Sequence, residues 1–470
     1  MQGTRQTRIL ATLGPATDTA EAIGDLLEAD ANLFRLNMSH ARHDWVRRVV
    51  GKIRAAAAAR HVVPGIVMDL QGPAIRTGEL PAPILLTKGD RFDITIEPNV
   101  MGERLVSVNY LDFLNDIAEG AVIMVDNGLI RMRVLRKTAT VAECEVEVGG
   151  EMGHRRHINL PGTKVKLPAL TEKDRADVAL GLEMEVDYLA LSFVREASDV
   201  AELRGHLAAA ALPPKVIAKI EDQFAVAHID AIIAEADAIM VARGDLGVEC
   251  PFEDLPILQR QIVRACQLAG RPVIVATHML ESMIGEPMPT RAEVTDVANA
   301  VFEQADAIML SSETSVGQFP ALAVAAMDRI ARRMEREPAA RFHAEAPLTD
   351  ARQKLAKAAV RMADDLEARA LVVFTREGRM VPEVASMRPR GAPIYALCLN
   401  AAVAGSLALH RAVHPVVLPW DEGNPDQAVD AALAELARAS HLQTGDTVVV
   451  VSSREALEEI ADSVQMRRVG

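Results

Sequence analysis

The chain has 470 residues, which is too long for one ordinary domain and suits two or three, each with enough apolar material for a core. Its formal net charge of -14 disfavours nucleic acids and anionic membranes as bulk partners. Aromatic residues make up only 3% of the chain, which argues against base stacking or an aromatic sugar-binding platform as the main activity.

In chain order, short apolar runs rich in β-branched residues alternate with helical patterns and predict eight strands. The predicted strands cover residues 8–12, 32–36, 65–69, 188–192, 215–220, 238–241, 273–276 and 307–310. Nearly continuous apolar strands are typical of a parallel sheet that is covered on both faces. Eight strand–helix units therefore favour an α/β fold with a closed (β/α)8 TIM barrel.

Two other regions differ from the barrel pattern. Between Asp69 and about Val165, segments such as RFDITIEP and TVAECEVEVGG alternate with period two, which predicts a small β-barrel inserted after the third strand. From about Arg341 onward, strands at 370–374, 394–397, 416–418 and 447–451 alternate with helices and predict a C-terminal α/β domain. We expect barrel domain A at 1–70 and 167–338, inserted domain B at 71–166, and the α/β domain at 339–470.

The cysteines and the N-terminal segment bear on the cellular compartment. The four cysteines are far apart and form no CxxC pair, so we expect reduced thiols rather than a disulfide framework or a zinc site. The opening residues MQGTRQTRILATLGP carry no extended apolar stretch after the basic residues, so we expect no signal peptide. No apolar segment is long enough for a spanning helix, and we expect a cytoplasmic protein.

Polar residues follow the predicted barrel strands, where the strand-to-helix loops of a barrel converge. They are Thr12; Arg35, Asn37 and Ser39; Asp69; Ser192; Lys219 and Glu221; Arg243 and Asp245; Thr277; Ser311 and Glu313. One such residue is usually a helix cap. Chemically useful groups at nearly every strand end instead indicate an active site.

Two neighbouring strand ends offer the most specific chemistry. Lys219 and Glu221 in KVIAKIED are two positions apart, so a strand directs both to the same side. In ARGDLG, Gly244 and Asp245 lie at a strand-to-helix junction, where backbone N–H groups suit an anion. Two carboxylates from adjacent strand ends suit Mg²⁺, which takes its remaining oxygens from water and substrate. These residues predict a metal-assisted anion site.

Several long motifs resemble the pyruvate kinase family and occur in the family's order, densely from Arg8 to about Pro320 and loosely beyond it. They are ATLGPAT, RLNMSH, DLQGPAIRTG, VDNGLI, NLPGTKVKLPALTEKD, AKIED, IMVARGDLGVE and TRAEVTDVANAVFEQADAIMLSSET. The resemblance implies a glycolytic kinase that transfers the phosphoryl group of phosphoenolpyruvate to ADP, giving pyruvate and ATP. It also implies a barrel with an inserted lid and a C-terminal α/β domain, usually assembled as a homotetramer.

The resemblance further implies roles for individual residues. Glu221 and Asp245 would hold the divalent ion, Mg²⁺ or Mn²⁺. Lys219 would stabilise the phosphoryl group in flight and the enolate left behind, while Arg35 would bind the substrate phosphate. The backbone of Gly244 and Asp245 would receive the substrate carboxylate.

Other roles follow from the same resemblance. Thr277 would lie against the substrate, and Ser311 would join a hydroxyl relay that protonates the enolate. A K⁺ site is implied at Asn37, Ser39, Asp69 and the Leu70 carbonyl. The implied nucleotide-binding residues are Asn37, His40, Arg76 and Arg156.

This chain departs from the family pattern at Ala74 and in the C-terminal domain. The family carries Glu at the position of Ala74 in K⁺-dependent members and Lys in independent ones. Because the implied K⁺ ligands are present and no ammonium replaces the ion, we expect K⁺ to raise activity. In the C-terminal domain, TREGRM at 375–380 replaces a Thr/Ser-rich phosphate loop, and SSREALEEIADSVQMRRV, which predicts a helix, replaces a glycine-rich loop. We therefore expect no binding of fructose 1,6-bisphosphate in the family's manner.

Two other interpretations of the sequence compete with an active pyruvate kinase. One is a different phosphoenolpyruvate/pyruvate barrel enzyme, but such enzymes lack the insertion and the ordered motifs. The other is a catalytically silent metabolite sensor of the same fold. The intact set Arg35, Lys219, Glu221, Asp245 and Thr277 argues against a silent copy, because a charged cluster is costly to bury.

Overall fold

A computed structural model describes residues 4–420, 425–456 and 459–470. The chain begins with three parallel strands, β1 (Arg8–Thr12), β2 (Leu33–Asn37) and β3 (Gly65–Asp69), which alternate with helices α1 (Ala20–Glu28) and α2 (His43–Ala59). All five residues of β1 and of β3 are buried, as their apolar composition predicts. Strand β2 lies one residue later than its predicted bounds.

An insertion follows β3. It contains β4 (Ile84–Leu86), β5 (Arg91–Thr95), β6 (Met101–Gly102), β7 (Leu105–Ser107), α3 (Phe113–Asp116), β8 (Val122–Val125), β9 (Ile130–Lys137), β10 (Val141–Val148), β11 (Gly150–Met152) and β12 (Ile158–Asn159). Seven of the strands form a sheet in the order β12-β8-β9-β10-β5-β7-β6, and β4 pairs with β11. All pairings except β5 with β7 are antiparallel. Along β10, Ala142, Cys144 and Val146 are buried, so the period of two supplies a core that belongs to the insertion.

The chain then completes the barrel. The elements are α4 (Glu172–Glu183), β13 (Tyr188–Leu191), α5 (Ala197–Leu207), β14 (Lys215–Ile220), α6 (Gln223–Ala227), α7 (Ile229–Glu235), β15 (Ala238–Ala242), α8 (Arg243–Glu249), α9 (Leu255–Leu268), β16 (Val273–Ala276), α10 (Arg291–Phe302), β17 (Ala307–Leu310), α11 (Ser312–Ser315) and α12 (Pro320–Met334). Strand β17 pairs in parallel with β1, which closes the eight-stranded barrel. The carboxyl ends of all eight strands therefore meet at one rim.

The last region is a separate sheet with its own helices. It contains α13 (Ala351–Asp365), β18 (Ala370–Thr375), α14 (Met380–Ser386), β19 (Ile394–Cys398), α15 (Ala401–Gly405), β20 (Val413–Val417), α16 (Pro425–Arg438), β21 (Thr447–Ala456) and β22 (Glu459–Arg468). The strand order is β20-β19-β18-β21-β22, and only the β21–β22 pair is antiparallel. Arg388 joins this region to the barrel through two bonds to Asp306, of 2.8 and 2.7 Å.

The helix predicted for SSREALEEIADSVQMRRV is wrong. The backbone of this segment forms the end of β21 and most of β22, which pair from Thr447 with Arg468 to Ala456 with Glu459. Its Ala, Glu, Leu and Arg residues favour a helix locally, but β21 lies beside the buried strand β18 and extends the sheet, so ladder hydrogen bonds outweigh local propensity. The two residues at 457–458 lie outside the described part of the chain.

Candidate active site

Lys219 lies at the centre of a polar cluster at the barrel rim. Its ammonium nitrogen lies 3.0 Å from Glu221 Oε1 and 3.2 Å from Asp69 Oδ1, and it donates to Ser192 Oγ at 2.7 Å. The side chain is only 11% exposed. Burial acts to lower the pKa of Lys219, but Asp69 and Glu221 outweigh it and the pKa is raised. The lysine is therefore a fixed positive charge at the end of β14.

Arg35 supplies a second cation beside the lysine. Its Nε donates to Asp69 Oδ2 at 2.6 Å, and its Nη1 donates to Thr12 Oγ1 at 3.2 Å. Burial acts to raise the pKa of Asp69, but Lys219 and Arg35 hold it below the ordinary value. Asp69 thus orients two cations from different strands toward the same side of the rim, an arrangement that suits a polyanionic substrate.

Glu221 and Asp245 form a pair of carboxylates near this lysine. Burial raises the pKa of both groups; Lys219 opposes the rise, and the charge of Asp245 adds to the rise at Glu221. Glu221 Oε2 also accepts a bond from the Phe193 amide at 2.5 Å. A buried Glu221 and a half-buried Asp245 that resist ionisation together fit a divalent cation, which would neutralise both.

Gly244 and Thr277 contact each other at the next two strand ends. The Gly244 amide donates to Thr277 Oγ1 at 2.7 Å, and Thr277 Oγ1 donates to the Ala276 carbonyl at 2.6 Å. Thr277 has a φ of 68°, which is costly for a β-branched residue and is typical of functional sites. Arg243 supports this backbone by donating to the Thr277 carbonyl at 2.5 Å and to Asp296 at 2.6 Å.

Ser311 follows β17, which lies across the closed barrel from β13. Its amide donates to Glu313 Oε2 at 2.7 Å. Its buried hydroxyl oxygen has no hydrogen-bond partner within the described parts of the chain. An orphaned buried hydroxyl is costly, so the residue is available for a partner such as water or ligand.

A cavity of about 380 Å³ opens between the rim and the insertion. The predicted site residues that line it are Arg35, Asn37, Ser39, His40, Leu70, Arg76, Arg156, Lys219, Glu221 and Asp245. Asp69, Gly244, Thr277 and Ser311 do not line it, although Asp69 contacts two residues that do. On the insertion side, Arg76 donates to the Arg155 carbonyl at 3.2 Å, and Arg156 lies 3.4 Å from Asp126.

The predicted K⁺ ligands come from two adjacent strand ends, but other groups already contact several of their oxygens. Asn37 Oδ1 accepts a bond from the Ser39 amide at 3.2 Å, and the Leu70 carbonyl accepts one from Ser192 Oγ at 2.7 Å. Asp69 is paired with Arg35 and Lys219. A cation here would share these oxygens with existing donors.

Two residues near Lys219 have contacts that the sequence did not predict. Ser192 links Lys219 to the Leu70 carbonyl, and its place at a strand end was the available signal. His157 lies in the insertion, 3.7 Å from Asp245 Oδ1. Burial and nearby Arg76 lower the pKa of His157 to about 4, so the ring is neutral at physiological pH. Nothing in the segment HRRHINLPG distinguished this histidine from its neighbours.

The fold and the cluster together define a class. A closed parallel barrel carries two buried cations and a carboxylate pair at its rim, and an inserted domain adds arginines to the same cavity. This is a (β/α)8-barrel enzyme with a site for a small anionic substrate.

Comparisons with known proteins make the assignment specific. A family model described as "Pyruvate kinase, barrel domain" matches residues 4–324, and one described as "Pyruvate kinase, alpha/beta domain" matches residues 353–462. The chain belongs to the pyruvate kinase family. It is therefore a kinase that acts on phosphoenolpyruvate and ADP, as the motifs predicted.

Individual relatives are similar over nearly the whole chain. Pyruvate kinase 2 of Synechocystis sp. is 39% identical over 99% of this chain and 79% of its own length. The pyruvate kinase of Methylorubrum extorquens is 39% identical over 96% of this chain and 95% of its own. A crystal structure of a pyruvate kinase from Cryptosporidium parvum superposes with a TM-score of 0.92 at 34% identity, covering 99% of this chain and 96% of that one.

Proposed function

We propose that Lys219 and Arg35 carry the phosphoryl transfer from phosphoenolpyruvate to ADP in this chain. The observation that supports this most directly is the position of the Lys219 ammonium, which is buried among Asp69, Glu221 and Ser192 and also lines the cavity. Phosphoryl transfer spreads negative charge over the equatorial oxygens of the transferred group, so two fixed cations stabilise the transition state. Lys219 would also stabilise the enolate that remains.

A divalent metal ion is the second part of the proposal. Pyruvate kinases are metal dependent in general, and the raised pKa values of Glu221 and Asp245 support these two residues as ligands of Mg²⁺ or Mn²⁺. When bound, the ion would neutralise charge on the phosphate oxygens and orient them. The two carboxylates would otherwise repel an anionic substrate.

We propose supporting roles for four residues at the rim. The backbone of Gly244 and Asp245 lies in the first turn of α8 and would receive the substrate carboxylate, with Thr277 against the substrate. In this structure the Gly244 amide donates to Thr277 Oγ1, so binding would exchange that bond for one to the carboxylate. Ser311 would relay a proton to the enolate, and its unpartnered hydroxyl supports that assignment within the described residues.

We also propose a nucleotide site and a K⁺ site beside the substrate. His40, Asn37, Arg76 and Arg156 would contact ADP, because all four line the cavity and Arg76 and Arg156 bring charge from the insertion. K⁺ would be held by Asn37, Ser39, Asp69 and the Leu70 carbonyl. The crowding of these oxygens by Arg35, Lys219 and Ser192 indicates that the ion would be held loosely.

Our proposal for the whole chain follows the family. We propose the domain bounds given above, with A at 1–70 and 167–338, B at 71–166 and the α/β domain at 339–470, together with a homotetrameric assembly and a cytoplasmic location. Within the described residues, no helix combines the length and the apolar character needed to cross a bilayer. Some relatives are named as plastidial, such as plastidial pyruvate kinase 2 of Arabidopsis thaliana, which is 40% identical.

One experiment tests the proposed chemistry and its metal ligands together. Pyruvate formation from phosphoenolpyruvate and ADP is followed in a coupled assay while Mg²⁺ is titrated, for the wild type and for Glu221→Ala and Asp245→Ala. We expect robust wild-type turnover that needs Mg²⁺, and loss of that turnover in both variants with folding retained by circular dichroism. Near-normal activity with unchanged metal dependence in either variant would reject the ligand assignment. A wild type without turnover would favour a silent metabolite sensor.

A further inference from the structure

The insertion is joined to the barrel by two chain segments, and one buried carboxylate contacts both of them. The outgoing segment passes through Gly72, and the returning segment ends at Thr171, which caps α4. Asp174, in the first turn of α4, is 0% exposed. Its Oδ1 accepts a bond from the Gly72 amide at 3.1 Å, and its Oδ2 accepts bonds from Thr171 N at 2.9 Å and Thr171 Oγ1 at 2.6 Å.

Helix capping explains only one of these two carboxylate oxygens. In a capping box the third helical residue bonds back to the capping residue, which is the role of Asp174 Oδ2. Asp199 has the same position in α5, where its Oδ2 accepts bonds from the amides of Arg195 and Glu196 and lies 3.9 Å from Arg195 Nε, so its contacts stay local. The bond from Gly72 reaches Asp174 across 102 positions of the chain and joins a different segment.

Gly72 connects this carboxylate to the active site. The glycine has a φ of +70°, and a side-chain carbon placed on it would lie 2.9 Å from Ser192 Cβ and 3.0 Å from the Phe193 ring. Ser192 accepts the hydrogen bond from Lys219, and the Phe193 amide donates to Glu221. The base of the insertion is therefore packed tightly against the two residues that hydrogen-bond Lys219 and Glu221.

We propose that Asp174 is a positioning residue that fixes the base of the insertion against the barrel. It acts through Gly72 and Thr171 and does not line the cavity. Its effect on ADP binding rests on the nucleotide role proposed above for Arg76 and Arg156. Without the carboxylate the Gly72 amide of the outgoing segment loses its buried acceptor. The side chains of Arg76 and Arg156 are then no longer held in a fixed position at the cavity. ADP binding then weakens more than phosphoenolpyruvate binding.

The test compares full-length Asp174→Ala and Asp174→Asn with the control Asp350→Ala, which removes the side-chain cap of α13, a bond of 2.9 Å from the Gln353 amide, far from the insertion. Hydrogen–deuterium exchange at the Gly72 amide is expected to rise about tenfold or more in Asp174→Ala. The KM for ADP is expected to rise about fivefold, with the KM for phosphoenolpyruvate and kcat nearly unchanged. Asp174→Asn keeps one acceptor oxygen where the carboxylate uses two, so it should show smaller changes of the same sign, with faster Gly72 exchange and a raised KM for ADP. Asp350→Ala should lower the melting temperature without altering Gly72 exchange or the KM for ADP.

Unchanged Gly72 exchange and an unchanged KM for ADP in Asp174→Ala, even with a lowered melting temperature, would overturn the proposal and leave Asp174 as a helix cap. If Asp174→Ala does not fold, Asp174→Asn decides: faster Gly72 exchange supports the proposal, and wild-type exchange overturns it. A wild type that makes no pyruvate would contradict the proposed function alone, because the exchange comparison requires no turnover.

Discussion

Lys219 illustrates how a single side chain can be both costly and necessary. Its ammonium is buried, and only the partners Asp69, Glu221 and Ser192 make that burial tolerable. A charge held in this way needs little reorganisation when a phosphoryl group passes beside it, which is the condition for strong electrostatic catalysis.

We expect Lys219→Met to lower kcat by a factor of about 10² to 10³, because one preorganised donor contributes roughly 3–4 kcal/mol to transition-state stabilisation. The KM for phosphoenolpyruvate should change far less. Steady-state kinetics with saturating ADP and Mg²⁺ measure both constants, and Lys215→Met, at the exposed start of the same strand, is the control. A normal kcat with a raised KM would assign Lys219 to ground-state binding instead.

Ala74 leads to a prediction about monovalent cations. It lines the cavity but supplies no charge, and its carbonyl accepts a bond from Asn109 at 3.1 Å. We expect activity to rise when K⁺ is titrated at constant ionic strength in tetramethylammonium salts. The Ala74→Lys variant should be active with less K⁺, because its ammonium can replace the ion. Full wild-type activity without K⁺ would show that another cation, such as an arginine of the insertion, already fills this role.

At the scale of elements, the sequence predicted the barrel well and the last strands poorly. Strands such as β1, β3, β14 and β16 matched their predicted bounds because their buried apolar runs are set by the barrel itself. The start of β21 was predicted at 447–451, but the end of β21 and all of β22 were missed, because they pair with each other and their composition favours a helix. Long-range pairing of this kind cannot be read from local propensity.

The sequence predicted the part of the candidate site that lies on the barrel strands, but not the part that depends on the insertion. Barrel strand ends must meet at one rim, so Arg35, Lys219 and Glu221 could be grouped from the sequence alone. Contacts made by the insertion could not be grouped in this way. The position of His157 beside Asp245 and the link from Asp174 to Gly72 depend on how the insertion packs, which no periodicity encodes.

The loop between β18 and α14 gives a prediction about regulation. At 375–380 Glu377 pairs with Arg379 at 2.5 Å, and both side chains are well exposed. A carboxylate beside a phosphate is repulsive unless it is neutralised. We expect fructose 1,6-bisphosphate to leave the saturation curve for phosphoenolpyruvate nearly unchanged. Marked activation by this ligand that disappears in a Glu377→Ala, Arg379→Ala double variant would refute this expectation.

At the scale of the whole molecule, the barrel and the C-terminal domain meet at the bottom of the barrel, opposite the active site. Asp187 precedes β13, accepts a bond from the Ile66 amide at 2.7 Å, and packs directly against Gly405 of α15. Burial raises the pKa of Asp187 to about 7. Between about pH 4 and pH 7, Asp187 is therefore protonated in the folded protein and ionised in the unfolded chain, where its pKa has the ordinary value near 4.

This proton makes the stability of the domain contact depend on pH. Because the folded-state pKa is raised, the contribution of Asp187 is fully present below about pH 4 and is lost as the pH rises through about 7. We expect Asp187→Asn to flatten the fall in urea midpoint between pH 5 and pH 8. Asp237→Ala, which removes the similar bond from the Val216 amide, should lower the midpoint while keeping that fall. An equal slope in wild type and Asp187→Asn would refute the assignment.

The narrow base of the insertion implies that the inserted segment could be deleted and its ends rejoined. Gly72 and Thr171 are both within hydrogen-bond reach of one carboxylate, so a loop of only a few residues could rejoin them. Strands β3 and β13 pair directly, with Asp69 opposite Ala190, and their register does not need the excised segment. The shortened chain would keep Arg35 and Lys219 but lose Arg76 and Arg156. The shortened barrel would bind the phosphoryl donor phosphoenolpyruvate but would lack the arginines that contact the acceptor ADP.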